Sequence, residues 1–173
     1  MGRRLVVWVE GKQDRRFFDA VAKPRLSMIY DNLLIKEYRE QQRHSINSTL
    51  RSMSHQGFDR LFVADLNAVP CITGRKNKLK EHFPELQDAE IIVVSREIES
   101  WYLAGLTTEA ASTLKVKCPA STDQFTKEDC DRIRPSRFDA QLDFLVELLQ
   151  NFDLETACGR NKSFAYFYRK FLT

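Results

Sequence analysis

Short apolar runs that recur between helical segments constrain this chain more than any other feature. Leu5-Val6-Val7-Trp8-Val9 is apolar at every position and rich in β-branched and aromatic residues. A strand with one face in water alternates apolar and polar side chains. A strand buried on both faces does not, and burial on both faces belongs to a parallel sheet covered by helices. Leu33–Tyr38 reads as a second strand, Arg60–Ala64 as a third that ends at Asp65, and Ala89–Ser95, with Ile91-Ile92-Val93-Val94 at its centre, as a fourth.

Helical periods fill the intervals. From Lys12 the apolar positions Phe17, Phe18, Val21 and Ala22 fall on one face, and Pro24 is expected to end that helix. Gln41–Gln56 carries Ile46, Leu50 and Met53 at spacings of four and three, with Gly57 as its cap. A basic helix is expected over Arg75–His82, stopped by Pro84, and another from Glu97 through Trp101, Tyr102 and Leu103. Strand and helix thus alternate four times. That alternation predicts a three-layer, Rossmann-like α/β domain with a mostly parallel four-stranded sheet and further helices toward the carboxyl end.

Beyond Thr107 the strand pattern stops. An amphipathic helix is expected over Arg137–Gln150, with Phe138, Leu142, Leu145, Val146 and Leu149 inward. A short aromatic helix follows over Ser163–Leu172, with Phe164, Phe167 and Phe171 on one face and Ser163 as its N-cap. Residues 112–136 show little periodicity and read as a long loop. The reading is one domain: a core over 1–111, and a loop with helices over 112–173 packed on it. A chain of 173 residues is long enough to bury such a core unaided.

Composition excludes some classes of protein. The four cysteines, Cys71, Cys118, Cys130 and Cys158, form no CxxC pair, so they suit neither a zinc site nor a disulfide framework. No stretch is apolar and long enough for a bilayer, and Leu5–Val9 is too short for a signal-peptide core. The expectation is a cytoplasmic protein without a membrane partner. Twenty-seven Lys plus Arg against 24 Asp plus Glu leave +3, which neither requires nor forbids a polyanionic partner.

Ligands of open parallel sheets bind at the carboxyl ends of the strands. Here those ends carry acids and an amide: Glu10 after the first strand, Asp65 and Asn67 after the third, Glu97 and Glu99 after the fourth. Carboxylates drawn to one point repel unless a cation or shared protons offset them. An all-oxygen set suits Mg²⁺ or Mn²⁺. Glu10, Asp65, Asn67, Glu97 and Glu99 are therefore the candidate metal ligands, with Glu10, Asp65 and Glu99 as the candidate catalytic groups.

These residues carry a resemblance. Val9-Glu10-Gly11-Lys12-Gln13-Asp14 resembles the first motif of the Toprim family, a strand followed by Glu-Gly and an acid opening a helix. Phe62-Val63-Ala64-Asp65-Leu66-Asn67 resembles its second motif, Asp-x-Asp. Arg96-Glu97-Ile98-Glu99-Ser100-Trp101-Tyr102-Leu103-Ala104 and Arg160-Asn161-Lys162-Ser163-Phe164 with Phe167 resemble segments of small Toprim-like proteins of unknown function. The resemblance implies the fold of topoisomerases, primases and OLD-type nucleases. It implies Glu10 as general acid or base, Asp65 as a Mg²⁺ ligand, and Glu99 as a further metal or base ligand. One departure matters: Asn67 stands where the motif has its second Asp. An amide brings no charge, so the site binds its cation more weakly, leans on Glu97 and Glu99 to compensate, or is inactive.

Basic residues flank the acids. Lys12, Arg15, Arg75, Lys76, Lys78 and Arg96 are the candidate nucleic-acid contacts, since phosphate backbones are held by such side chains. The functional expectation is a divalent-metal-dependent phosphoryl-transfer enzyme, a nuclease acting on nucleic acid. The rivals are a catalytically inactive Toprim-like module that binds nucleic acid or a partner protein, and a small-molecule phosphatase or nucleotidyl enzyme.

Overall fold

The computed structural model describes residues 2–173. The chain divides into two compact units, the first ending at Val93 and the second spanning Val94–Thr173. Each has its own architecture.

The first unit is built on β1 (Arg4–Val9), β2 (Asn32–Glu37), β3 (Asp59–Asp65) and β4 (Ile91–Val94), in the order β2-β1-β3-β4. The sheet is all-parallel. β1 pairs with β2 from Arg4↔Asn32 to Val9↔Glu37, and with β3 from Leu5↔Asp59 to Trp8↔Phe62. Leu5–Val9, Leu61–Ala64 and Ile91–Val94 are all buried, as their uninterrupted apolar runs require. The edge strand β2 is the exception, with Leu34 over a third exposed.

Three crossovers connect the strands. The first holds α1 (Lys12–Phe17) and α2 (Lys23–Ile29), joined by a π-helical stretch over Phe18–Ala22. The second holds α3 (Arg43–His55) and the third α4 (Ile72–His82). Ile46, Leu50 and Met53 of α3 and Leu79 of α4, with Phe83, pack on Val6, Trp8, Phe62, Ala64, Ile91 and Val93. Each fully buried side chain of this kind contributes about 1.5–3 kcal/mol. Leu5, Val7 and Val9, which alternate with Val6 and Trp8 along β1, are equally buried on the other face, consistent with a three-layer Rossmann-like fold.

Two local expectations need correction. Pro24 does not end the first helix; it lies in the first turn of α2, where a missing N–H costs nothing. The wide π turn before it absorbs the change in hydrogen-bonding pattern. Gly57, by contrast, does follow α3 in the left-handed conformation (φ 71°), and Phe58 N donates to Met53 O at 3.0 Å to close the helix end.

The second unit is helical: α5 (Glu99–Ala104), α6 (Thr108–Leu114), α7 (Lys127–Ile133), α8 (Gln141–Gln150), α9 (Leu154–Arg160) and α10 (Lys162–Phe167), the last continued by a π-helical stretch over Tyr168–Leu172. Every residue of α5 is buried, and α7, α8 and α9 pack around it. Part of the expected loop over 112–136 is therefore helix, because Thr126 caps α7 and Asp129 answers it in a capping box. The helix expected from Arg137 starts at Gln141 and turns Phe144, Leu145 and Leu148 inward, leaving Leu142 and Val146 over a third exposed. Ser163 is not the cap of α10. Asn161 is: its Oδ1 accepts from Phe164 N at 2.9 Å.

Candidate functional site

Strand order decides what can gather at the carboxyl edge of the sheet. From β1 the chain moves to β2 on one side, then crosses back to β3 on the other. The carboxyl ends of β1 and β3 therefore flank the point where the winding reverses, which is where open α/β sheets bind ligands. Glu10 follows β1 and Asp65 ends β3.

Glu10 is mostly buried. Its Oε1 accepts from Arg39 Nη2 at 2.7 Å, while its Oε2 is shut off from solvent without a hydrogen-bond partner. Asp14, in the first turn of α1, is buried, and its Oδ2 accepts from the backbone N of Gly11 at 3.2 Å. Asp65 is buried, and its backbone carbonyl accepts from Arg75 Nε at 2.7 Å. Asn67 has φ 51°, a left-handed position that Asn tolerates better than most residues. Its amide donates to the carbonyl of Asp65 at 3.4 Å.

Tyr38 ties these groups together. It follows β2, and its backbone N donates to Val9 O at 2.9 Å, so the β1–β2 pairing carries it alongside Glu10. Its ring stacks on Phe62, centroids 4.5 Å apart. Its hydroxyl is closed off from solvent and has no hydrogen-bond partner. Burial first, then the negative charge of Glu10 and, more weakly, of Asp14 and Asp65 hold the phenol well above its ordinary pKa, against the opposing pull of Arg75. Tyr38 is thus a proton-bearing donor at neutral pH. Arg39 is held above its own ordinary pKa chiefly by its hydrogen bond to Glu10, with Asp14 and Asp65 adding to the effect. Three carboxylates thus act electrostatically on both Tyr38 and Arg39, and the Arg75 guanidinium acts on Tyr38.

Tyr38, Arg39 and the role of Asp14 were missed from the sequence. The signal was present: the strand-end rule applied to the first, third and fourth strands points equally to residues 37–39 after the second.

Most of the remaining expected site residues have local partners. Lys12 and Lys78 are exposed. Arg15 pairs with Asp19 at 3.5 Å and donates to Ile35 O. Lys76 donates to Asp88 O at 2.7 Å. Of the basic set, Arg75 donates to the backbone of Asp65, and Arg15 also lies 4.0 Å from Glu37 at the end of β2. Arg96, Glu97 and Glu99 belong to the second unit. Arg96 has φ 61° and donates to Gln124 Oε1 at 2.8 Å. Glu97 Oε2 accepts from Lys127 N at 2.7 Å, capping α7. Glu99 is buried; its carboxyl is raised above its ordinary pKa, first by burial and further by Glu97, against the lowering effect of a backbone hydrogen bond and Lys127. The nearby Cys130 thiol is pushed up to about 12, by burial before Glu99.

The Glu-x-Trp segment and the chain's last helix meet inside this unit through a saturated polar network. Ser163 Oγ accepts from Trp101 Nε1 at 2.8 Å and from Ser95 N at 3.0 Å, and donates to Asn161 Oδ1 at 2.7 Å. Asn161 Nδ2 donates to Ser100 Oγ and Thr122 Oγ1.

Among the described residues, no group of three or more His, Cys, Asp or Glu side chains is arranged to hold a metal ion by itself, and no helix is long and apolar enough to cross a membrane. No protein-family model, curated protein or solved structure matches the chain.

Proposed function

We propose that this chain is a divalent-metal-dependent phosphoryl-transfer enzyme, a nuclease acting on nucleic-acid phosphodiesters, with Glu10 and Asp65 as its working carboxylates. The observation that carries this reading is the pair of Glu10 and Asp65 at the winding reversal of a parallel sheet, with Glu10 keeping one buried oxygen without a hydrogen-bond partner. Mg²⁺ is commonly held by one or two carboxylates together with water and substrate phosphate, not by an all-protein cage. Glu10, with one buried oxygen lacking a partner, and Asp65 fit that need.

A bound divalent cation supplies charge neutralisation at a phosphate oxygen and lowers the pKa of a coordinated water. Asp65 would hold the cation through its carboxylate. Glu10 Oε2 takes the proton of the attacking water as the new oxygen–phosphorus bond forms, and the departing ester oxygen takes a proton from a solvent water as the old bond breaks. Tyr38 donates its phenolic hydrogen to an oxygen seated among the acids. Arg39, whose side chain is 65% exposed, exchanges its Glu10 contact for a substrate phosphate, to which a guanidinium fork is well matched.

The test is cleavage of labelled single- and double-stranded DNA and RNA with Mg²⁺ or Mn²⁺, beside calorimetric Mn²⁺ binding, on wild type, Glu10→Gln and Asp65→Asn. The expected result is metal-dependent cleavage and Mn²⁺ binding, both impaired in the two variants. Cleavage that persists unchanged in Asp65→Asn would sink the proposal.

A second reading has its own support. The ion pair of Glu10 with Arg39, and the uncharged Asn67 turned toward a backbone carbonyl, suit a module that binds nucleic acid or a partner protein without cutting. Metal-independent oligonucleotide binding without cleavage would favour it.

A further inference from the structure

The second unit carries a cleft that the acidic site does not explain. It has a volume of about 410 Å³ and lies beside α6 and the end of α9. Its walls bring together Lys115, Lys117 and Arg160 with the hydroxyls of Thr108 and Ser112. Among the described residues, no carboxylate lines it.

The backbone that carries the cations is anchored. Lys115 takes the left-handed conformation (φ 57°) that ends α6, and Val116 N donates to Ala111 O at 2.9 Å. Val116 is buried, so the chain between the two lysines is anchored. Arg160 ends α9, and its Nη1 donates to the carbonyl of Leu106. A side chain already fixed by one hydrogen bond loses less freedom when it takes a ligand.

Their charge is not compensated. Neither lysine nor Arg160 forms an ion pair among the described residues. The remaining candidate counter-charge is Cys118, in the same wall. Burial raises its thiol above its ordinary pKa despite Arg160 beside it, so it stays neutral at neutral pH. The hydroxyls of Thr108 and Ser112 stand four residues apart, one turn along α6, and hydrogen-bond to no other side chain among the described residues. Like charges brought together without a counter-ion repel one another, and an anion relieves that repulsion.

From this geometry we infer that the cleft formed by Lys115, Lys117, Arg160, Thr108 and Ser112 binds the phosphate group of a phosphate-bearing ligand. Its volume exceeds what a lone ion needs and falls within the range of small-molecule sites, about 300–1,000 Å³. Arg160, held by Leu106 and Cys118, offers its remaining N–H donors to the phosphate, the lysines supply charge, and the hydroxyls complete the oxygen shell. The phosphate belongs either to a free nucleotide-sized molecule or to a nucleic-acid strand.

The test uses the full chain and three probes: inorganic pyrophosphate, adenosine 5′-diphosphate and a labelled single-stranded oligonucleotide. Binding is followed by calorimetry and anisotropy for wild type, Lys115→Gln, Lys117→Gln and the double variant. Both lysines are exposed, so the variants retain the fold, which circular dichroism checks. Each single change is expected to weaken pyrophosphate binding several-fold and the double change about ten-fold or more, with the salt slope falling by about one per lysine removed. Loss of diphosphate binding without loss of oligonucleotide binding supports a free ligand. Loss of both supports a strand phosphate. No pyrophosphate binding by wild type at millimolar concentration, or binding that the double variant leaves unchanged, overturns the inference. Glu10 and Asp65 are intact in these variants, so their Mn²⁺ binding reports on the acidic site separately.

Discussion

The polar groups at the sheet edge and those around Asn161 in the helical unit are buried alike but matched differently. Around Asn161 every side-chain valence is met: Oδ1 accepts from Ser163 and Phe164, and Nδ2 donates to Ser100 and Thr122. At the end of β1, Glu10 Oε2 and the Tyr38 hydroxyl are equally shut off from water, yet neither has a partner. A saturated network stabilises one arrangement of the chain. An unsatisfied buried group raises the energy of the free protein and is relieved when something binds. The first is architecture, and the second is the better place to look for chemistry.

The contrast is tested most severely at the acids. Glu10→Gln and Asp65→Asn are expected to lower metal-dependent cleavage by about 10²–10⁴-fold, some 3–5 kcal/mol of barrier, while moving the urea midpoint little. Asn161→Ala should do the reverse. It strands the partners of four hydrogen bonds in the interior and is expected to cost about 2–4 kcal/mol of stability by urea denaturation. An Asn161→Ala protein as stable as wild type would abolish the distinction.

Smaller effects sharpen it. Tyr38→Phe removes a buried hydroxyl without a partner, so stability should hold or rise by up to about 1 kcal/mol. Mn²⁺ affinity should fall only a few-fold, about 2–10, if the phenol orders oxygen ligands. A large loss of stability would instead make Tyr38 part of the architecture. Glu99 gives the smallest effect, and its sign is fixed. Its folded pKa is raised, so the native state holds the proton more tightly than the unfolded chain. Stability is fully present below the ordinary carboxylate value and falls as pH rises through the raised one. Glu99→Gln should remove that fall, read as urea midpoints for both proteins from about pH 4 to pH 8.

Much of this arrangement was legible from local pattern. Leu5–Val9 could not alternate because both faces are buried, and Ile46, Leu50 and Met53 had to share a face of α3. Glu10 and Asp65 stood out because a charge that interrupts such a run marks the strand's end. Elsewhere, local pattern misled. The apolar stripe of α8 was assigned the wrong phase, since several faces of that helix carry large apolar residues and only its neighbours select Phe144, Leu145 and Leu148. Pro24 read as a stop because the sequence does not announce the π turn that accommodates it.

The amino-acid order by itself determined the strands, the helices between them and the acids at the strand ends, because backbone periodicity and burial act over neighbouring residues. Only the tertiary structure decided that β1 lies between β2 and β3. That order sets Glu10 beside Arg39 and brings Tyr38 and Asp65 to the same edge, and the packing of α9 and α10 on their neighbours lets Asn161 reach Ser100 and Thr122. Crossover handedness and the burial of whole faces govern these pairings, and both act between residues that are distant along the chain.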